Sequence, residues 1–347
     1  MASSSSVTAF APATVSNVAC GFDVLGFALE APGDEVTARF TGVVTGGRER
    51  FAVSAYADPQ DPQPPGTQKP QTAPDPIIDD IVGDGGRLPR EASRNTACVA
   101  ALALLTALGD RRGVALSIRK GLPLASGLGG SAASAAAAVV ALDALLEARA
   151  PLDTLVACAL EGERLGAGSA HADNIAPAIY GGLVLVRRPN PPDIVRLPIP
   201  AGLTAVVVHP DLEIETARAR EMLGDTVPLA DAIRQWANLG ALVHGLHRGD
   251  FTLIARALED AIAEPRRAAL VPGLADIKRA AASAGALGCS LSGSGPSLFA
   301  LCADPQIAAR VAAAMTAAVR SAIGGDVQTY VSSIAPQGAR IVSTCAS

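Results

Sequence analysis

The chain has 347 residues, 49% of them hydrophobic and only 18% charged, with a formal net charge of −5 and an aromatic content of 3%. A negative charge without an aromatic platform excludes nucleic acid as the main partner. No apolar run long enough to cross a bilayer goes unbroken, because Asp143 interrupts the Ala-rich stretch after Ser134. The length fits two domains or one large one. The start, Met-Ala-Ser-Ser-Ser-Ser, lacks the basic and apolar regions of a secretory signal. Six scattered cysteines without a C-x-x-C pair read as free, mostly buried thiols in a reducing compartment, and so as a cytoplasmic protein.

In chain order, residues 7–11 alternate as a strand does. They run into 12–28, where Thr14, Ser16, Asn17 and Asp23 stand among small residues, and where Asn17 and Asp23 are able to cap and turn the chain. Strands are predicted at 35–40 and 51–55. The Pro-, Asp- and Gly-rich stretch 58–90 reads as a long irregular insertion. A helix over 95–108 ends at Gly109, with Asn95 placed as its N-cap. A strand at 114–118 precedes the glycine loop, whose helix follows, and a further helix covers 153–165.

Residues 168–182 crowd His171, Asp173 and Asn174 between glycines and lead into a strand at 183–186. A second domain is expected from about 191. It holds a buried strand at 203–209, helices at 228–248 and 250–262, a strand–turn–strand at 288–301, a helix at 305–323 and closing strands over 327–342. His244 and His247 share one helix face without a third ligand and read as ordinary helix residues.

The most informative stretch is 121–134, which packs Gly121, Gly127, Gly129 and Gly130 with Ser126, Ser131 and Ser134 directly ahead of strong helix-forming sequence. Glycines bring backbone N–H groups close to a ligand. The open N–H groups and dipole of a helix start then favour phosphate. Lys120, one of three lysines against 25 arginines, stands just before the loop. The Gly-Lys-Ser/Thr of a Walker loop is absent. Residues 127–132 fit the dinucleotide pattern GxGxxA, but the strand ends too early, and Asp143 and Glu147 lie inside the helix rather than at a second strand end.

Residues 123–133, Pro-Leu-Ala-Ser-Gly-Leu-Gly-Gly-Ser-Ala-Ala, instead resemble the second motif of the GHMP kinases, P-x-x-x-G-L-G-S-S-A-A, with Gly130 in place of the first serine. Residues 12–26 resemble the first motif of the homoserine kinases within that superfamily. The segment 171–182 resembles their H-x-D-N-x-A-P-A-x-x-G-G, 216–220 their T-x-x-A-R, 264–267 their E-P-x-R, and 288–301 the third GHMP motif. At Arg266 a tyrosine is common in the family. The resemblance spans nearly the whole chain except 41–92 and the two tips.

What the resemblance implies is an α+β, two-domain GHMP kinase fold. Residues 1–190 would form an N-terminal ATP-binding domain like the ribosomal protein S5 domain 2, and 191–347 a C-terminal ferredoxin-like α+β domain. The implied reaction is ATP-dependent phosphorylation of the γ-hydroxyl of L-homoserine on the route to threonine. ATP would be held by Lys120 and by Pro123, Leu124, Ala125, Ser126, Gly127, Leu128, Gly129, Gly130, Ser131, Ala132 and Ala133. Asn95 would hold adenine or simply cap its helix. Ser131 and Glu163 would hold Mg2+, which prefers oxygen ligands, and with Asp23 form the catalytic group. Asn17, Asp23, His171, Asn174, Thr216, Arg220 and Arg267 would bind homoserine, the two arginines gripping its carboxylate.

Many GHMP kinases use an aspartate with a lysine as base. By resemblance Asn174 falls at or next to that position and Asp173 points elsewhere, which leaves direct attack assisted by Asp23 and by magnesium. Expected partners are the small-molecule substrate and a second copy in a homodimer, with neither nucleic acid nor membrane. A mevalonate or sugar GHMP kinase, a dinucleotide oxidoreductase and an inactive small-molecule sensor are the competing readings.

Overall fold

The computed structural model describes residues 5–41, 73–167 and 171–345. The strand predicted at 51–55 lies outside them. The first part of the chain supplies β1 (Ser6–Ser16), β2 (Leu25–Phe40), β3 (Ile77–Val82), α1 (Thr96–Leu108), β4 (Val114–Arg119), α2 (Gly130–Leu146), α3 (Leu152–Ala167), α4 (Ala172–Tyr180), β5 (Leu183–Pro189) and β6 (Pro192–Leu197). The second part supplies β7 (Thr204–Pro210), α5 (Thr216–Glu221), α6 (Leu229–Arg248), α7 (Phe251–Ala257), α8 (Ala263–Arg267), α9 (Leu274–Ser283), β8 (Gly288–Leu291), β9 (Leu298–Cys302), α10 (Pro305–Ala322), β10 (Val327–Ser333) and β11 (Arg340–Cys345).

Two sheets result. The first runs β11-β1-β2-β4-β3, with β5 pairing β2 and β6 pairing β5. β1 alternates buried and half-buried residues in its outer half and is buried throughout its inner half, where α2 and α4 close over it. α2 is nearly pure Ala with Val and Leu, and an all-round apolar helix belongs inside. It lies buried from Ala132 to Val139 between the sheet and α1 and α3. Small alanine side chains let it approach the strands closely, which fixes the height of the loop at its N-terminus.

The second sheet has the order β10-β7-β9-β8, every pair antiparallel. With α9 and α10 packed on it over Val206, Val208, Leu298, Ala300, Ile277, Val311 and Met315, this is the ferredoxin-like arrangement expected. The mixed α and β architecture agrees with the fold class read from the sequence.

Three expectations are corrected. The stretch 58–90 is not wholly irregular: residues 77–82 form β3, parallel to β4. Only Ile81 of β3 is buried, so its short sequence carries no period, and the partner strand rather than the pattern decides its state. The division at 190/191 falls in the turn of the β5–β6 hairpin, both of whose strands belong to the first sheet, as does β11. The sheets divide instead near 198–203. Finally, the closing strands over 327–342 part company, β10 joining the second sheet and β11 the first.

Candidate functional site

A cavity of about 440 Å³ opens between the two sheets, walled by the β1–β2 connection, the glycine loop, α4 and the segments around α5, α8 and the β8–β9 turn. The loop's shape comes from its glycines. Gly127 and Gly129 have φ of +75° and +67°, and a Cβ on Gly127 would sit 2.5 Å from the Ser292 carbonyl oxygen, one on Gly129 2.2 Å from Thr14 Oγ1. The β8–β9 turn clamps the loop from the far side: Ser292 Oγ donates to the Gly127 carbonyl (2.7 Å) and the Ser297 N–H to that of Ser126 (3.2 Å). Thr14 N–H donates to the Leu128 carbonyl at 3.1 Å. The three glycine-bearing motifs are thus one knot, and α2 starts from it with no side-chain cap, leaving its first N–H groups for a ligand.

Of the predicted ATP-binding residues, Pro123, Leu124, Ala125, Ser126, Gly127, Gly129, Gly130 and Ser131 line the cavity. Leu128, Ala132 and Ala133 do not; they are fully buried beneath the loop and anchor it. Lys120 and Asn95 line the cavity too, and Lys120 has a structural role besides. Its ammonium pairs with the buried carboxylate of Asp34 and donates to the Gly130 carbonyl (2.7 Å) and Ser134 Oγ (3.0 Å). Asp34 also accepts from the N–H groups of Gly121 (3.0 Å) and Leu122 (3.2 Å), so the pair closes the loop on itself.

For Asn95 the capping alternative holds. Its Oδ1 accepts from the N–H groups of Ala97 (3.1 Å) and Cys98 (3.4 Å), and its Nδ2 donates to the Pro89 carbonyl (3.0 Å). Asn95→Ala is therefore expected to lower stability by about 1 kcal/mol, with a modest change in the KM for ATP. Denaturant unfolding beside steady-state kinetics checks this, and a large ATP defect at unchanged stability would restore the adenine role.

Among the described residues, three buried side-chain atoms lack a hydrogen-bond partner, Ser126 Oγ, Glu163 Oε1 and Asp173 Oδ1, and all three residues line this cavity. Burial pushes the Glu163 carboxyl up, opposed by the Ser131 hydroxyl beside it and by the nearby Lys120 charge. A desolvated carboxylate with a free oxygen next to a serine hydroxyl is a donor set that suits Mg2+, which takes one or two protein oxygens together with phosphate.

At the other end the chain turns through Asn17 to Asp23, with Asn17, Val18, Ala19 and Asp23 all at positive φ. Asn17 holds that turn: its Oδ1 accepts from the Asp23 N–H (3.0 Å) and its Nδ2 donates to the Gly293 carbonyl (2.9 Å). Its amide positions the turn, and Asn17 also lines the cavity. Asp23 pairs with Arg220 at 2.6 Å. Arg267 is buried, its Nε on the Ala219 carbonyl (3.0 Å) and Nη1 on that of Gly293 (3.1 Å). Both guanidinium groups lie over the Phe22 ring, each 5.4 Å from its centroid, so one aromatic side chain aligns two cations on the cavity. Burial depresses the Arg267 and His171 pKa values.

Thr216, His171 and Asn174 also line the wall, Asn174 Oδ1 accepting from Thr14 Oγ1 at 2.8 Å. Asp173, expected to point elsewhere, lines the cavity as well. Its Oδ2 accepts from the Asn17 N–H (3.1 Å), and burial pushes its carboxyl up to about 7. Sequence reasoning missed Asp34, Phe22 and Arg94. Arg94 lines the cavity beside Leu88 and Pro89. Its place next to Asn95 was the one available signal, whereas Asp34 has no local signal at all.

The described part of the chain thus joins a phosphate loop, an oxygen donor pair and two arginines in one cavity. Residues 95–182 match the model of the GHMP kinases N terminal domain and 242–321 that of GHMP kinases C terminal. The homoserine kinase of Chlorobaculum tepidum is 45% identical, with 97% of this chain and 98% of that protein covered. That of Xanthomonas campestris pv. campestris is 40% identical over 96% and 94%. The crystal structure of homoserine kinase from Cytophaga hutchinsonii superposes with a TM-score of 0.85 at 43% identity, covering 97% of each chain. The crystal structure of L. major mevalonate kinase, 17% identical with a TM-score of 0.63, shares the fold alone.

Proposed function

The chain belongs to the homoserine kinase family of the GHMP kinases, and we propose from that premise how its cavity carries out the reaction those relatives are named for. It phosphorylates the γ-hydroxyl of L-homoserine with ATP, giving O-phospho-L-homoserine on the way to threonine. The observation that carries this reading is the single cavity joining a phosphate loop to a buried arginine: Gly127, Gly129 and Arg267 all face it.

Phosphoryl transfer asks mainly for positioning and charge neutralisation. The N–H groups at the start of α2 and the Ser126 hydroxyl hold phosphate oxygens. Glu163 and Ser131 would hold Mg2+, which supplies neutralisation of the phosphates when bound. Arg267, fixed through two backbone carbonyls, receives the α-carboxylate, with Arg220 beside it. Asp23, kept at its strained turn by Asn17, accepts a hydrogen bond from the γ-hydroxyl. The hydroxyl oxygen attacks the γ-phosphorus in line while the bond to the β-phosphate oxygen breaks, and Asp23 holds the departing proton. Among the described residues the lysine beside the loop, Lys120, is occupied with Asp34.

The partners are small molecules, and the assembly to examine by sedimentation is a homodimer. No described helix is long and apolar enough to cross a membrane. Cys20, Cys98, Cys158, Cys289 and Cys302 are buried free thiols pushed up to about 12 by burial, which fits a reducing cytoplasm. A coupled ADP-release assay offering homoserine, serine, mevalonate and galactose tests the reading. Homoserine should be the preferred acceptor, and preference for any other would overturn it.

Arg267→Ala should raise the KM for homoserine by roughly 30- to 150-fold, the loss of about 2–3 kcal/mol from a charge-assisted bond, with the KM for ATP little changed. Arg220→Ala should cost less, because its side chain is 41% exposed and screened by water. Arg267→Lys should recover only part of the loss, lacking the forked donor. Unchanged homoserine KM in Arg267→Ala would remove the carboxylate assignment.

A further inference from the structure

Only one face of α6 is used within the chain. Its inner face puts Leu242 and Leu246 in the core and ties Gln235 to Asp260, while Arg234 and Asn238 bond to Glu259. The helix is therefore fixed on the body of the protein. Its outer face is apolar where solvent favours charge. Leu229 is 69% exposed, Trp236 57% and Ile233 48%, and Trp236 is the one tryptophan in the sequence. A single exposed apolar side chain is ordinary, but three on one helix face within two turns make a patch.

The spacing of that patch continues along the helix. Leu229, Ile233, Trp236, Gly240, Val243 and His247 follow one another at alternating steps of four and three residues. That alternation is the a/d seam of a coiled coil, so the six lie along one stripe. The stripe complements itself when a second copy is laid against it antiparallel. Setting Trp236 against the partner's Gly240 also sets Ile233 against the partner's Val243 and Leu229 against the partner's His247. A two-fold axis makes each of these pairs occur twice, as an isologous contact requires.

The fit is one of size and of charge. Gly240 carries no side chain, and a Cβ placed there would meet nothing within 4 Å, so it leaves an open recess beside the bulkiest side chain of the stripe. Exposed Asp225 precedes α6 and Asp231 lies in its first turn, whereas His247 and exposed Arg248 lie in its last. Antiparallel packing lays each basic end beside an acidic end and opposes the two helix dipoles. A parallel pair would instead bring like ends together and Trp236 onto itself.

We propose that α6 is the contact surface of a homodimer, paired with a second copy of this chain through an antiparallel seam centred on Trp236 and Gly240. The inference rests on the homodimer named above and not on the reaction. None of the six seam residues lines the cavity, so association and turnover are measured separately.

The sole tryptophan gives a direct readout. Sedimentation equilibrium and tryptophan emission are followed together from nanomolar to micromolar protein. Wild type should sediment as a dimer at the upper end, and its emission should shift to the red on dilution, as Trp236 passes from the seam into water. Gly240→Leu fills the recess with a better helix former, so the unfolding midpoint of the monomer should not fall. Its dimer dissociation constant should nevertheless rise by about 30-fold. Trp236→Glu, at a position exposed in the single chain, should raise it by about 100-fold and leave the fold intact.

A wild type that stays monomeric across the range, with constant emission, would overturn the proposal and leave the face to a partner of another kind. A wild-type dimer that both substitutions leave as tight as before would place the interface elsewhere and overturn it equally.

Discussion

Glu163→Gln is expected to lower kcat by about 10²- to 10³-fold while leaving the KM for homoserine nearly unchanged. The residue sits on α3 with one carboxylate oxygen buried and unpartnered, facing the start of α2 rather than the amino-acid end. The amide preserves volume and one acceptor but removes the charge that would neutralise magnesium and, through it, the transferred phosphoryl group. Ser131→Ala should act in the same direction and by less, because a neutral hydroxyl is a weaker ligand than a carboxylate.

Both variants should need more Mg2+ for half-maximal rate, which separates loss of a metal ligand from general damage. Because burial already raises the Glu163 carboxyl, the wild-type Mg2+ requirement should also increase as pH falls and protonation competes with the metal. Steady-state kinetics across Mg2+ concentrations measures all of this. Wild-type turnover in Glu163→Gln would place the glutamate outside the reaction.

The second large effect concerns stability rather than rate. Lys120→Ala should destabilise the protein by about 3–5 kcal/mol, since it strands the Asp34 carboxylate in the interior. Asp34 would keep the N–H groups of Gly121 and Leu122 and the Ser134 hydroxyl, but no cation. The same change would leave the Gly130 carbonyl without its donor and loosen the loop at the first residue of α2. Asp34→Asn should fall at the lower end of that range, because the amide still accepts from the loop. Denaturant titration measures the effect. A phosphate-binding lysine would behave in the opposite way, losing ATP affinity while the midpoint of unfolding stayed in place.

The sequence by itself determined the phosphate loop, because its signal is local. Glycines at 127 and 129 and a serine at 131, placed at the head of an alanine helix, specify positive φ, close backbone approach and a helix start within a dozen residues. It determined the family on the same footing, through short motifs whose spacing survives in one dimension.

What only the tertiary structure decided is how polar groups are shared. Lys120 stands beside the phosphate loop in the sequence, and only the fold brings it Asp34, 86 residues earlier in the chain. Asn95 carried two readings until Ala97, Cys98 and Pro89 consumed its amide. Asp173 lines the cavity together with Asn174, its carboxylate on the Asn17 N–H and the Asn174 amide on Thr14, because a helix turns neighbouring side chains in different directions. β3 formed in a stretch without periodicity because β4 offered it a parallel ladder. A hydrogen-bond donor or acceptor has a fixed capacity, and the partner that uses it is chosen by distance in space, over separations that no motif spans. Among the described residues the fold leaves three buried polar atoms unfilled, Ser126 Oγ, Glu163 Oε1 and Asp173 Oδ1, and only the packed chain shows which they are.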